Sequence, residues 1–124
     1  MWSGMNRRKF PRADYKCLIN IKRRGVSKSI SAHTENIGAG GICVIIKERL
    51  DLFQDIAITL FLDDEKNPVK CSGQVVWVVK KRPEGQEAGC SYDTGIEFVK
   101  ICEKSRERIS KIIGAILKKQ VPST

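Results

Sequence analysis

Two short groups of residues combine side chains and backbone suited to holding an anion. The first is Arg7-Arg8-Lys9-Phe10-Pro11-Arg12. Pro11 has no N–H to give to a helix and pushes Phe10 out of the α region, so the segment is predicted to be extended or turn-like. Four extended residues at about 3.3 Å each place the bases of Arg8 and Arg12 roughly 13 Å apart at most, and the even spacing favours one side. Two guanidinium groups so placed can grip opposite parts of one ligand. Each fork donates bidentately to phosphate or to a guanine edge, and its flat face stacks on a base. A solvated basic tail is the plain alternative and stays open.

The second group is Asn36-Ile37-Gly38-Ala39-Gly40-Gly41. Glycine permits positive φ and a close backbone approach, while Asn36 offers a donor and an acceptor to a base or caps a turn. No Lys-Ser/Thr follows and no helix is predicted next, which excludes a phosphate-binding P-loop and a dinucleotide fingerprint. Taken alone, the group reads as a tight β-turn.

These groups must be positioned by the rest of the chain. Its 124 residues suffice for one core, and 41% apolar with 30% charged residues predicts a folded globular protein. No apolar run is long enough to span a membrane and no signal peptide is visible, so a cytoplasmic protein is expected, with residues 1–5 set aside as leader residues. The net charge of +9 is uneven. Residues 7–24 hold eight Lys or Arg against Asp14 alone, and residues 100–119 hold seven against Glu103 and Glu107. The acidic middle argues against a surface that coats long nucleic acid and for anion binding at the ends. Five separated cysteines, no Cys-x-x-Cys pair and one histidine, His33, point to reduced structural thiols, no metal and no Cys-His catalysis.

Alternation at Tyr15, Cys17, Ile19 and Ile21 predicts a first strand over 15–21, followed by a weaker strand over 26–33. Further strands are predicted at 41–47, 56–62, 69–80 and 94–100, separated by polar Pro- or Gly-bearing links. Ile109, Ile112, Ile113, Ile116 and Leu117 then form one helical stripe, predicting a helix over 105–119 with Ser105 as N-cap. Five or six strands and a terminal helix give a mainly β fold: a small antiparallel six-stranded β-barrel with a C-terminal α-helix.

Arg8-x-x-x-Arg12 before the first strand and Asn36-x-Gly38-x-x-Gly41 after the second resemble, in order and spacing, the PilZ domain of bacteria, which binds cyclic di-GMP. Gly73-Gln74-Val75-Val76-Trp77-Val78 and Gly95-Ile96-Glu97-Phe98-Val99 are similar to that family's later strands. The resemblance implies a split barrel in one domain over 6–124, with 6–14 as a ligand-binding arm, 15–100 as barrel and 105–119 as helix. It also implies that Arg8 and Arg12 clasp phosphates and guanine faces, Asn36 reads a guanine edge, Gly41 shapes the turn and Arg7 adds a phosphate contact. Gly38 stands where the family has Ser, which removes a hydroxyl worth on the order of 1 kcal/mol, roughly fivefold in affinity.

The function expected is therefore a second-messenger receptor or adaptor, not an enzyme and with no cofactor, whose arm orders on cyclic di-GMP and signals to a downstream protein partner. Two alternatives are a PilZ-like interaction domain without nucleotide binding, with a homodimer among its options, and a basic barrel for single-stranded nucleic acid, which eight aromatic residues support poorly. Trp77 is expected to be core or to pack between elements, not to serve as a base-stacking platform, and Asp93 and Glu97 lack a catalytic partner.

Overall fold

A computed structural model gives the structure of the protein and describes residues 12–63, 67–81 and 89–120. Among these residues seven strands precede one helix: β1 (Arg12–Asp14), β2 (Leu18–Arg23), β3 (Ser29–Gly38), β4 (Gly41–Ile46), β5 (Asp55–Phe61), β6 (Val69–Lys81), β7 (Ser91–Lys100) and α1 (Glu103–Gln120). Neighbouring strands run in the order β3-β2-β5-β6-β7-β4, and β4 pairs back onto β3, closing a six-stranded antiparallel barrel. Closure removes the exposed edges that an open sheet of this size would present.

β1 is the element that alternation did not predict. It extends the edge of β3 beyond β2, pairing Arg12 with Gly38 and Asp14 with Asn36, while β2 pairs with β3 from Leu18 opposite His33 onward. The last three residues of the expected arm are thus sheet, and the strand predicted over 15–21 begins only at Leu18. The burial alternation nevertheless holds: Cys17, Ile19 and Ile21 face the interior while Leu18 is 43% exposed. Thr34 explains the break between β1 and β2. Its buried hydroxyl donates to the Tyr15 carbonyl at 2.7 Å and accepts from the Cys17 N–H at 3.0 Å, occupying backbone groups that a continuous ladder would use.

The interior is filled by Ile19, Ile21, Ile58, Leu60, Val44 and Ile96, all essentially inaccessible, each such side chain contributing about 1.5–3 kcal/mol by burial. Ile109 and Ile113 of α1 join this cluster across the end of the barrel where β1 and the close of β3 lie. Leu50, 1% exposed, closes the opposite end from the loop between β4 and β5. In that loop Phe53 adopts φ 64°, a left-handed conformation that costs a bulky residue about 1–3 kcal/mol.

The helix starts two residues earlier than its stripe suggested. The Arg106 N–H bonds to the Cys102 carbonyl at 3.0 Å, which makes Cys102, not Ser105, the capping position. The Ser105 hydroxyl lies 3.2 Å from the Cys102 thiol, and this contact with nearby backbone N–H groups lowers the thiol pKa. All five cysteines are free thiols.

Candidate functional site

Of the arginines singled out in the sequence, Arg12 lies in β1, while Arg7 and Arg8 fall outside the described residues. Asn36 and Gly38 were expected in a turn. They instead form the end of β3, Gly41 opens β4, and only Ala39 and Gly40 connect the strands. The positive-φ glycines among the described residues are Gly25 and Gly89, so left-handed backbone is not what Asn36–Gly41 needs. Gly41 is required by a close approach: a Cβ there would collide with the Ile96 carbonyl oxygen of β7.

The strand register brings these residues onto one outer face. Asn36 pairs with Cys43, Cys43 with Gly95, and Gly95 with Trp77, forming a row from β3 through β4 and β7 to β6. Pleating turns Ile42 and Val44 inward and leaves Cys43 on the opposite side of β4. One step along, Arg12 pairs with Gly38, and Gly41 pairs with Glu97. The floor is thus made of Gly38, Gly41 and Cys43, with Gly95 at its far margin. Its walls are Arg12 and Asn36 on one side and Trp77 on the other.

Arg12 Nη1 donates to Asn36 Oδ1 at 3.1 Å, joining the two groups that the sequence holds 24 residues apart. A charge-assisted bond of this kind orients the fork from a sheet, not from a loop. Beside it the Cys43 thiol donates to Glu35 Oε2 at 3.3 Å. Burial, reinforced by the Glu35 carboxylate, pushes the Cys43 thiol up to about 12, so it stays protonated and neutral on the floor.

Sequence reasoning missed the far wall. Gly95 lacks a Cβ because the Trp77 indole lies directly on its backbone, with Nε1 and Cε2 occupying the space a side chain would need. Trp77 is half-buried against this neighbour and turns away from the core. A glycine within the last apolar strand was the available signal, but only the register identifies its partner. Nearby, Lys81 Nζ pairs with Asp93 Oδ2 at 2.8 Å, and this hydrogen bond raises the lysine pKa. Asp93 Oδ1 is buried and finds no hydrogen-bond partner among the described residues. An open groove of about 830 Å³ continues from Glu35 along β3 and β4 past His33 and Ile45. Among the described residues no His, Cys, Asp or Glu cluster could hold a metal ion, and no helix is long and apolar enough to cross a membrane.

The arrangement can hold a flat, anionic molecule: a cation and an amide at one side, a backbone-lined floor without bulky side chains, and an aromatic face opposite. Solved structures share this fold. The PilZ domain of YcgR from Escherichia coli with c-di-GMP matches with a TM-score of 0.72 at 10% identity, covering 92% of this chain and 94% of that one. MrkH of K. pneumoniae in complex with c-di-GMP matches at 0.75 and 17% identity, covering 92% and 54%. The Bacillus subtilis inhibitor of motility MotI/DgrA matches at 0.69 and 18% identity, covering 92% and 51%. The chain thus spans about half the length of MrkH and MotI. No curated protein sequence matches it significantly. The family model of the PilZ domain matches residues 6–115, and with the closed barrel, its extra β1 and the terminal helix, this shows that the chain belongs to the PilZ domain family.

Proposed function

We propose that this protein is a receptor for cyclic di-GMP and works as a ligand-binding adaptor, not as an enzyme. The observation that carries the reading is the hydrogen bond from Arg12 to Asn36, which gathers the two halves of the family motif on one face of the barrel. Solved PilZ-domain structures of YcgR and MrkH hold c-di-GMP, and the small-residue floor of Gly38 and Gly41, bounded by the Trp77 indole, suits a purine laid flat. In this reading Arg12 and Arg8 clasp phosphates and guanine faces, with Arg7 as a further phosphate contact. Asn36 presents its amide to a guanine edge, and Trp77 offers a stacking face that the sequence reading set aside in favour of packing. Because Arg12–Asp14 is already paired with β3, ordering on the ligand concerns the residues before Arg12. The surface so changed is what a downstream protein would read.

Gly38 favours a second reading, an interaction domain without nucleotide binding, since the family's Ser hydroxyl is missing there. Titration calorimetry separates the two. Cyclic di-GMP is titrated into the wild type and into Arg8→Ala/Arg12→Ala, with GTP and an oligonucleotide as controls. Selective binding that the double variant loses supports the receptor. No heat from a folded wild type at high micromolar ligand sinks it and leaves the interaction domain.

A further inference from the structure

The strained residue in the barrel lies far from the motif. The barrel end opposite α1 carries the β2–β3 turn and the β4–β5 loop, tied together by the Arg23–Glu48 ion pair at 3.1 Å. The loop turns inward at Leu50 and outward at Leu52 and Phe53, which are 52% and 66% exposed. Phe53 occupies the third position of a turn in which the Gln54 N–H bonds to the Asp51 carbonyl at 3.2 Å, with positive φ where glycine is the usual residue.

This conformation is locked from outside the turn. The Phe53 N–H donates to the Val75 carbonyl at 2.7 Å, Val75 N–H donates to the Gln54 carbonyl at 3.1 Å, and Gln74 Nε2 donates to the Phe53 carbonyl at 3.3 Å. The fold thus bears backbone strain to hold a large aromatic ring in solvent, where it adds little to the core. Strain without a packing return points to a binding role. The surroundings indicate the partner. Val26 on the adjoining turn is also exposed, and Arg24, Lys28, Lys47 and Arg49 flank the apolar residues on the same two connections, outnumbering Glu48 and Asp51. Apolar side chains projecting from a basic rim match an anionic bilayer, whose headgroups attract the cations while the acyl boundary takes up the rings and branched chains.

We propose that this end of the barrel is a docking surface for an anionic lipid membrane, with Leu52 and Phe53 inserting and the basic rim contacting headgroups. The surface is at the far end from α1 and does not depend on nucleotide binding. The test is co-sedimentation of the full chain with vesicles of phosphatidylcholine alone or of phosphatidylcholine with phosphatidylglycerol, at low and high salt. The expected result is binding to the anionic vesicles only, reduced by salt and weakened more than about tenfold in Leu52→Ser/Phe53→Gly. Glycine relieves the strain at position 53, so this variant is expected to keep its Tm, which separates lost docking from lost folding. Arg24→Ala/Lys28→Ala is expected to weaken binding, whereas Lys111→Ala/Lys118→Ala on α1 is not. No vesicle binding overturns the proposal. So does binding that Leu52→Ser/Phe53→Gly leaves unchanged, or binding that glycerol phosphate competes away.

Discussion

Arg12 and Asn36 stand on adjacent antiparallel strands, and the guanidinium reaches its neighbour's amide oxygen at 3.1 Å from a position two residues out of direct register. The side chains most suited to a nucleotide therefore hold one another. Asn36 is left with its amide N–H₂ to donate outward, a constraint that neither residue would impose alone.

That bond predicts coupled, not additive, losses. Arg12→Ala is expected to weaken cyclic di-GMP binding about 10- to 100-fold, in line with a lost charged hydrogen bond. Asn36→Ala should weaken it less, and the double variant should cost less than the two separate effects combined because each single change already disturbs the other residue. Arg12→Lys should not rescue, since lysine cannot fork. Calorimetry on the four proteins closes the cycle; additivity within error would show that the pair does not act as a unit.

Restoring the family's hydroxyl gives an opposite expectation. Gly38→Ser should tighten cyclic di-GMP binding by roughly fivefold, the worth of one ordinary hydrogen bond. Equal affinity in the two proteins would mean that position 38 makes no side-chain contact with the ligand.

The floor also sets a structural prediction. Gly41→Ala drives a methyl group into the Ile96 carbonyl oxygen, backbone that cannot rotate away, and forces β4 from β7 at the Gly41–Glu97 pair. A loss of about 1–3 kcal/mol is expected from this overpacking. Gly95→Ala meets the movable Trp77 indole instead, so it should cost less and alter tryptophan fluorescence. Urea denaturation compares them, and a Gly41→Ala protein as stable as wild type would contradict the close approach.

Alkaline pH should destabilise the fold through its buried thiols. Cys43 rises from an ordinary 9.0 to about 12 and Cys71 to about 11, both chiefly through burial. The native state holds protons that the unfolded chain releases, so this stability is present below about pH 9 and is lost as pH rises toward the native values. Cys43 alone contributes a slope of up to about 1.4 kcal/mol per pH unit in that window. Urea midpoints followed from about pH 8 to 10 should fall, and Cys43→Ala should flatten the decline. An identical slope in both proteins would rule out Cys43 as a source.

The barrel was legible because alternation is a local signal. Ile19, Ile21, Ile42, Val44 and Ile96 announce their strands without reference to any partner, and the stripe from Ile109 to Leu117 announces the helix. The pairing of strands was not legible, and the site depends on it. Arg12–Asp14 is too short to show a period, and its place on β3 follows from where β2 lets go of that edge. The glycines at 38 and 41 suggested a turn of left-handed backbone, whereas at Gly41 the cause is a carbonyl on a strand more than fifty residues later. Trp77 could not be joined to Gly95 for the same reason. The helix start was missed because a thiol capped it where a hydroxyl was expected.

The closing of the barrel bears on how the site comes into being. β3 and β4 form a hairpin with a two-residue connection, which can zip early because its loop is short. By contrast, β4 meets β7 at Gly41 opposite Glu97, and β2 meets β5 at Leu18 opposite Phe61, both pairings of high contact order. The Cys43–Gly95 row exists only after the slow β4–β7 seam has formed. Its amides should therefore exchange with solvent hydrogen only when the whole barrel opens, making this face among the last parts of the molecule to assemble and the last to be surrendered.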